Sequence, residues 1–109
     1  MIIVGKKWDE NAVDITRGFS PLGNPFHLTN AKDFHERNLV CDQYEEWFKQ
    51  QLKQTKQSAF IQELARLYKL SKQGDLILGC YCAPRRCHGD TIKRFLDQVT
   101  NGTFRLKDF

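Results

Sequence analysis

The feature that most restricts the fold is Asp75-Leu76-Ile77-Leu78-Gly79-Cys80-Tyr81-Cys82, an apolar run preceded by a long stretch of helical periodicity. A continuous apolar run of this length reads as a strand covered on both faces, and therefore as a central strand. Two other runs suited to strands lie far upstream. Met1–Val4 is apolar and rich in β-branched residues, with Gly5, Lys6 and Lys7 ending it, and residues 12–16 alternate apolar and polar. Strands joined through long helical crossovers run parallel. The pattern predicts an α/β chain: a small single-domain Rossmann-like sheet, partly parallel, flanked by about three helices.

The helices follow from spacing. Over residues 33–54, Val40, Tyr44, Trp47, Phe48 and Leu52 recur in steps of three or four, with Asn30 or Asp33 as the cap. A second helix is expected over residues 58–70, carrying Phe60, Ile61, Leu64, Leu67 and Tyr68, with Gly74 as its stop. Residues 55–58 form the joint, one long bent helix being the alternative. A third helix begins near Cys87 or His88, turns Ile92, Phe95, Leu96 and Val99 inward and ends before Asn101-Gly102. Residues 103–109 either add an edge strand or pack on the surface.

Composition narrows the class. A chain of 109 residues is one domain, and 40% hydrophobic with 12% aromatic content fills a core, which excludes intrinsic disorder. No apolar run is long enough for a bilayer, and no charged segment leads into a secretory core. A cytoplasmic protein with no membrane partner is expected. The net charge of +4 favours anionic partners, nucleic acid included, although the charges are spread along the chain. Three of the four cysteines fall close together. Cys80 and Cys82, on one strand, would share a face without bonding, which argues for reduced thiols.

Two segments carry chemistry. The first is the strand-to-helix corner over residues 79–90. A helix opening there exposes unpaired N–H groups and a positive dipole end, suited to phosphate or carboxylate. Arg85 and Arg86 add forked donors, and Gly89 would admit a ligand closely. Cys87 at the helix start, beside Arg86 and His88, is where a thiol pKa should fall; with His88 and Asp90 for proton transfer, it is the candidate nucleophile. The plainer reading packs Cys87 in the corner and uses Asp90 to satisfy the dipole. Cys80, Cys82, Cys87 and His88 also spell C-x-C-x4-C-H, which leaves zinc open beside a metal-free thiol cluster. No cofactor is otherwise implied.

The second segment is Ser20-Pro21-Leu22-Gly23-Asn24-Pro25-Phe26, whose prolines, glycine and asparagine impose a fixed turn path. Gly23 and Asn24 both tolerate positive φ and so could aim N–H groups outward in a nest. Ser20 and Asn24 offer side-chain hydrogen bonds, Arg17 offers charge, and Phe26 either plugs the core or stacks on a ring. The plainer reading is a rigid turn anchored by Phe26. Tyr44, Trp47 and Cys41 read as core, and His27 and His35 receive no role.

Taken together, the loop at residues 20–26, the Tyr44-Glu45-Glu46-Trp47 pattern and the Gly79-Cys80-Tyr81-Cys82-Ala83-Pro84-Arg85-Arg86-Cys87-His88-Gly89-Asp90 box resemble a bacterial and bacteriophage family of domains of unknown function. The resemblance spans roughly residues 13–96, and Arg17 and Arg37 fit its pattern. It implies a small α/β fold in a bacterial or phage-infected cytoplasm, with loop and box belonging to one site. The spacing around Lys6–Asn11 departs from it, which leaves the pairing of the first two strands open.

The expected function is binding, with processing as its extension, of a phosphate-bearing, nucleotide-like small ligand between loop and box. Arg17, Arg85, Arg86 and the helix start would hold phosphate, Asn24 and Phe26 the base or sugar, and Cys80 and Cys82 would lie in the pocket wall. An enzyme of this kind would be a nucleotide-related hydrolase or transferase. The alternative is a non-catalytic module that sequesters a ligand or binds nucleic acid or protein, its cysteine–histidine box structural or zinc-binding.

Overall fold

Gly79 explains how the sheet is threaded. In the computed structural model, which describes residues 1–26, 28–30, 32–54, 57–83 and 85–102, strand β1 is Ile2–Lys6, β2 is Val13–Asp14 and β3 is Leu76–Cys80. Their order is β1-β3-β2, and both pairings are parallel, from Ile2↔Leu76 to Lys6↔Cys80 on one side and Val13↔Leu78 on the other. The chain must therefore pass across β3 between residues 6 and 13. The Lys7 N–H donates to the Cys80 carbonyl at 2.9 Å, and the Ile15 N–H donates to the Gly79 carbonyl at 3.0 Å. A Cβ on Gly79 would lie 2.7 Å from Lys7 Cα and 3.1 Å from the Ala12 methyl. Only glycine lets the crossing segment lie this close.

Several sequence expectations change here. The sheet expected to be partly parallel is parallel in every pairing among the described residues. β1 does not stop at Val4, because Gly5 and Lys6 still pair with β3. β2 shrinks to two residues, and β3 ends at Cys80, so Cys82 leaves the strand and does not share its face.

The helices are α1 (Phe34–Gln51), α2 (Ala59–Gln73) and α3 (His88–Thr100). α1 and α2 are separate helices rather than one bent rod. Asp33 caps α1 by accepting from the Glu36 N–H, and Ser58 caps α2 by accepting from the Phe60 N–H. Gly74 follows α2 as its stop. The alternatives for residues 103–109, and Pro84, His27 and part of the α1–α2 joint, lie outside the described residues.

α3 packs on β1 and β3, α2 on β3, and α1 on α3. Between them Tyr44, Leu64, Leu67, Leu78, Ile92 and Leu96 are wholly buried. Full burial of each such aliphatic side chain contributes about 2 kcal/mol. Phe48 touches Phe60 and Phe95 edge to face, at 5.2 and 5.4 Å between centroids. Leu22, from the proline-bounded loop, is buried in the same core, and the Tyr44 hydroxyl donates to its carbonyl at 2.7 Å. That bond ties the loop to α1. Among the described residues, no helix is long and apolar enough to cross a membrane.

Candidate functional site

Residues more than fifty positions apart meet beyond the carboxyl end of β3, around a cleft of about 290 Å³. Asn24 and Phe26 come from the proline-bounded loop and Arg17 from just before it, Cys80, Tyr81, Cys82, Arg86, Cys87 and His88 come from the strand-to-helix corner, and Arg37, Val40 and Cys41 come from α1. Three arginines thus line the cleft, and among the described residues no carboxylate lines it.

The loop reaches this place by bonding to itself. The Ser20 hydroxyl accepts from the Leu22 N–H at 3.1 Å, and the Asn24 side-chain Oδ1 accepts from the Phe26 N–H at 2.8 Å. Ser20 therefore lies outside the cleft lining, while Asn24 and Phe26 are in it. Gly23 is a correction. It is not in a positive-φ conformation and makes no nest. A Cβ there would lie 2.4 Å from Arg17 Cα and 2.7 Å from Arg17 N, so the residue must be glycine for the loop to fold back on residues 16 and 17.

The box divides as well. Arg86 lies across α1: its guanidinium donates to Asp42 Oδ1 at 2.8 Å and to the Asn38 carbonyl and side chain at 3.2 Å. One edge of its cation is thereby balanced. Arg85 is exposed and outside the lining, against the expectation for it. Gly89 is a further correction. Its Cα faces Val4 and Ile15, which a Cβ would approach at 3.0 and 3.1 Å, so it admits the sheet rather than a ligand.

Asp90 does not join Cys87 and His88 in the cleft. It is exposed, and its carboxylate accepts from the Cys87 N–H at 3.1 Å, closing the first turn of α3. His88 is buried and its Nε2 donates to the Ile15 carbonyl at 2.7 Å, which fixes the Nε2–H tautomer. Burial outweighs that bond and lowers the imidazole pKa, so the ring is neutral. It sits edge-on to Tyr44 at 5.2 Å. These two residues hold the corner together.

The thiols behave differently from expectation. Cys80 Sγ lies 3.0 Å from Cys87 Sγ. The hydrogen bond from Cys87, helped by backbone N–H groups of Ala83 and Cys82, lowers the Cys80 thiol pKa against its own burial. The same contact, with burial, raises Cys87. The acidic thiol is therefore Cys80 and not Cys87. Among the described residues, no group of three or more His, Cys, Asp or Glu side chains is placed to hold a metal ion.

Three lining residues come from α1, Arg37, Val40 and Cys41, and sequence reasoning gave none of them a role in the site. Cys41 is buried, in line with its reading as core, and it also lines the cleft, with burial raising its thiol pKa. Arg37 is buried, and its Nη1 donates to the Arg86 carbonyl at 3.2 Å. Its position marks it out: Arg37, Val40, Cys41, Tyr44 and Phe48 form one buried helical face, on which an arginine is the odd member.

At the rim stands Tyr81, exposed, with Trp8 at 6.3 Å between centroids and the Lys7 ammonium 4.9 Å over its ring. Lys7 also donates to the Tyr81 hydroxyl and pairs with Asp14 at 3.2 Å, which raises its pKa. No curated protein and no solved structure matches the chain. A protein-family match, described as domain of unknown function (DUF4326), covers residues 4–98. With most of its length matched and both segments inside the match, the chain belongs to this family.

Proposed function

We propose that the cleft binds a phosphate-bearing small molecule of the nucleotide class. One observation carries this reading: Arg17, Arg37 and Arg86 line a hollow that no carboxylate lines among the described residues, and Phe26 and Tyr81 line it too. Guanidinium groups recognise phosphate through paired donors, and a partly desolvated setting strengthens the attraction. An aromatic wall beside a phosphate site suits a nucleobase. Asn24 adds an amide that can read a polar edge.

The Rossmann-like description belongs with this proposal, since ligands of such sheets lie beyond the carboxyl ends of parallel strands. We place the protein in the cytoplasm of a bacterial or phage-infected cell, where nucleotides are abundant. Binding is the proposed activity. The hydrolase or transferase reading would need His88 and Asp90 as proton carriers, and both are engaged in holding the corner.

Calorimetry with nucleoside mono-, di- and triphosphates, unphosphorylated nucleosides and inorganic phosphate tests the proposal. Affinity should require both phosphate and base. Arg17→Ala, at an exposed position, should weaken binding about tenfold or more, as loss of a charge-assisted contact would. No heat with any phosphorylated nucleotide would refute it. Equal affinity for long single-stranded DNA with a steep salt dependence would move the assignment to nucleic acid.

A further inference from the structure

Cys80 closes β3 and Cys87 immediately precedes α3, so the intervening turn brings two sulfurs together from different elements. Their Sγ atoms stand 3.0 Å apart, and both residues line the cleft. A disulfide requires about 2.05 Å, so roughly 1 Å of side-chain movement would bond them. Among the described residues they are the one pair of sulfurs in contact, although Cys41 and Cys82 line the same hollow.

We propose that Cys80 and Cys87 form a redox centre in which Cys80 is oxidised by a small hydroperoxide and Cys87 resolves it to a disulfide. The burial of the pair selects the oxidant class. Cys80 is 1% exposed, so a compact neutral molecule entering through the cleft reaches it, whereas a peptide disulfide is too bulky. The Cys87 thiol and the Ala83 and Cys82 N–H groups around Cys80 favour its thiolate, the nucleophilic form. Cys87 keeps the shared proton.

The step balances with hydrogen peroxide. Cys80 Sγ attacks one oxygen; an S–O bond forms, the O–O bond breaks, and the departing hydroxide takes up the proton that Cys80 had released, leaving as water. Cys80, oxidised by two electrons, is then a sulfenic acid. Cys87 Sγ attacks Cys80 Sγ and expels its hydroxide, which leaves as water with the Cys87 proton. One peroxide and two thiols give one disulfide and two waters. An external dithiol reverses the change by exchange. The inference stands apart from the nucleotide reading, since it uses only the sulfur pair and access to it.

The test treats the folded full-length chain with a small excess of hydrogen peroxide, then caps free thiols and maps peptides by mass spectrometry. The expected result is loss of two hydrogen atoms, a Cys80–Cys87 linkage and recovery with dithiothreitol. Cys87→Ser should instead gain one oxygen at Cys80, trapped by dimedone, and Cys80→Ser should lose both products. In denaturant the selectivity for this pair should vanish. An unchanged wild-type mass, or oxidation appearing first at Cys41 or Cys82, would overturn the proposal. Mapping of the wild-type chain decides the matter even where a variant fails to fold.

Discussion

The proline-bounded loop and the cysteine–histidine corner look alike as sequence, each dense in residues that bind ligands, yet they spend those residues differently. In the loop, Ser20, Gly23 and the Asn24 side-chain Oδ1 are used on the loop's own backbone, and Leu22 is a core side chain. In the corner, Asp90 and Gly89 are structural, but Cys80, Cys82, Arg86, Cys87 and His88 all reach the cleft. The loop is mainly a scaffold that presents Arg17, Asn24 and Phe26. The second forms the wall itself. Dense polar composition thus marks a demanding backbone path as readily as a binding surface.

This contrast can be broken most sharply at Gly23. Gly23→Ala should destabilise the protein by about 3 kcal/mol, because a Cβ 2.4 Å from Arg17 Cα forces backbone to move. Urea denaturation measures it, and unchanged stability would return the loop to a pure ligand role. Tyr44→Phe should cost about 2 kcal/mol by leaving the buried Leu22 carbonyl without its donor. The same denaturation series reads that loss.

The corner predicts a pH effect. His88 has a lowered pKa in the folded chain, so below the ordinary value of 6.5 the unfolded chain takes up the proton first. Stability is therefore unaffected by His88 at pH 8. It falls as pH drops below about 6.5, by at most about 1.4 kcal/mol per pH unit. Comparing unfolding at pH 7 and pH 5.5 in wild type and His88→Gln isolates this slope, which the variant should lose. The smallest effect is expected at Asp42→Asn. Its exposed ion pair with Arg86 should matter by no more than about 0.5 kcal/mol, while freeing that guanidinium to tighten phosphate binding. Weaker binding in this variant would show that Asp42 orients Arg86 for the ligand.

Much of the fold could be read from the chain because it is written in local terms. Asp33 and Ser58 as caps, Gly74 as a stop, and Leu76-Ile77-Leu78 as the central strand all depend on neighbours within a turn or a ladder. The convergence of residues 20–26 with residues 79–90 was also legible, since both follow strands. What escaped was decided by packing across elements. Nothing near Gly79 in sequence announces that Lys7 and Ala12 lie against it. Asp90 has the composition of a catalytic acid, and only the direction of its carboxylate towards the Cys87 N–H makes it a cap. Cys80 gained the acidity expected of Cys87 because the Cys87 thiol contacts it across the turn, with the Ala83 and Cys82 N–H groups adding to the effect. Arg37 was visible as a charge on an apolar face, though its hold on the Arg86 carbonyl was not.

The order β1-β3-β2 has a consequence for how the molecule comes into being. The two N-terminal strands never touch each other as partners; each waits for residues 76–80. During synthesis, the chain through residue 80 must leave the ribosome before either strand can complete its pairing. Helices α1 and α2 can form in that interval, and the arrival of β3 then seals both edges at once. Such long-range closure slows folding relative to a chain of neighbouring contacts.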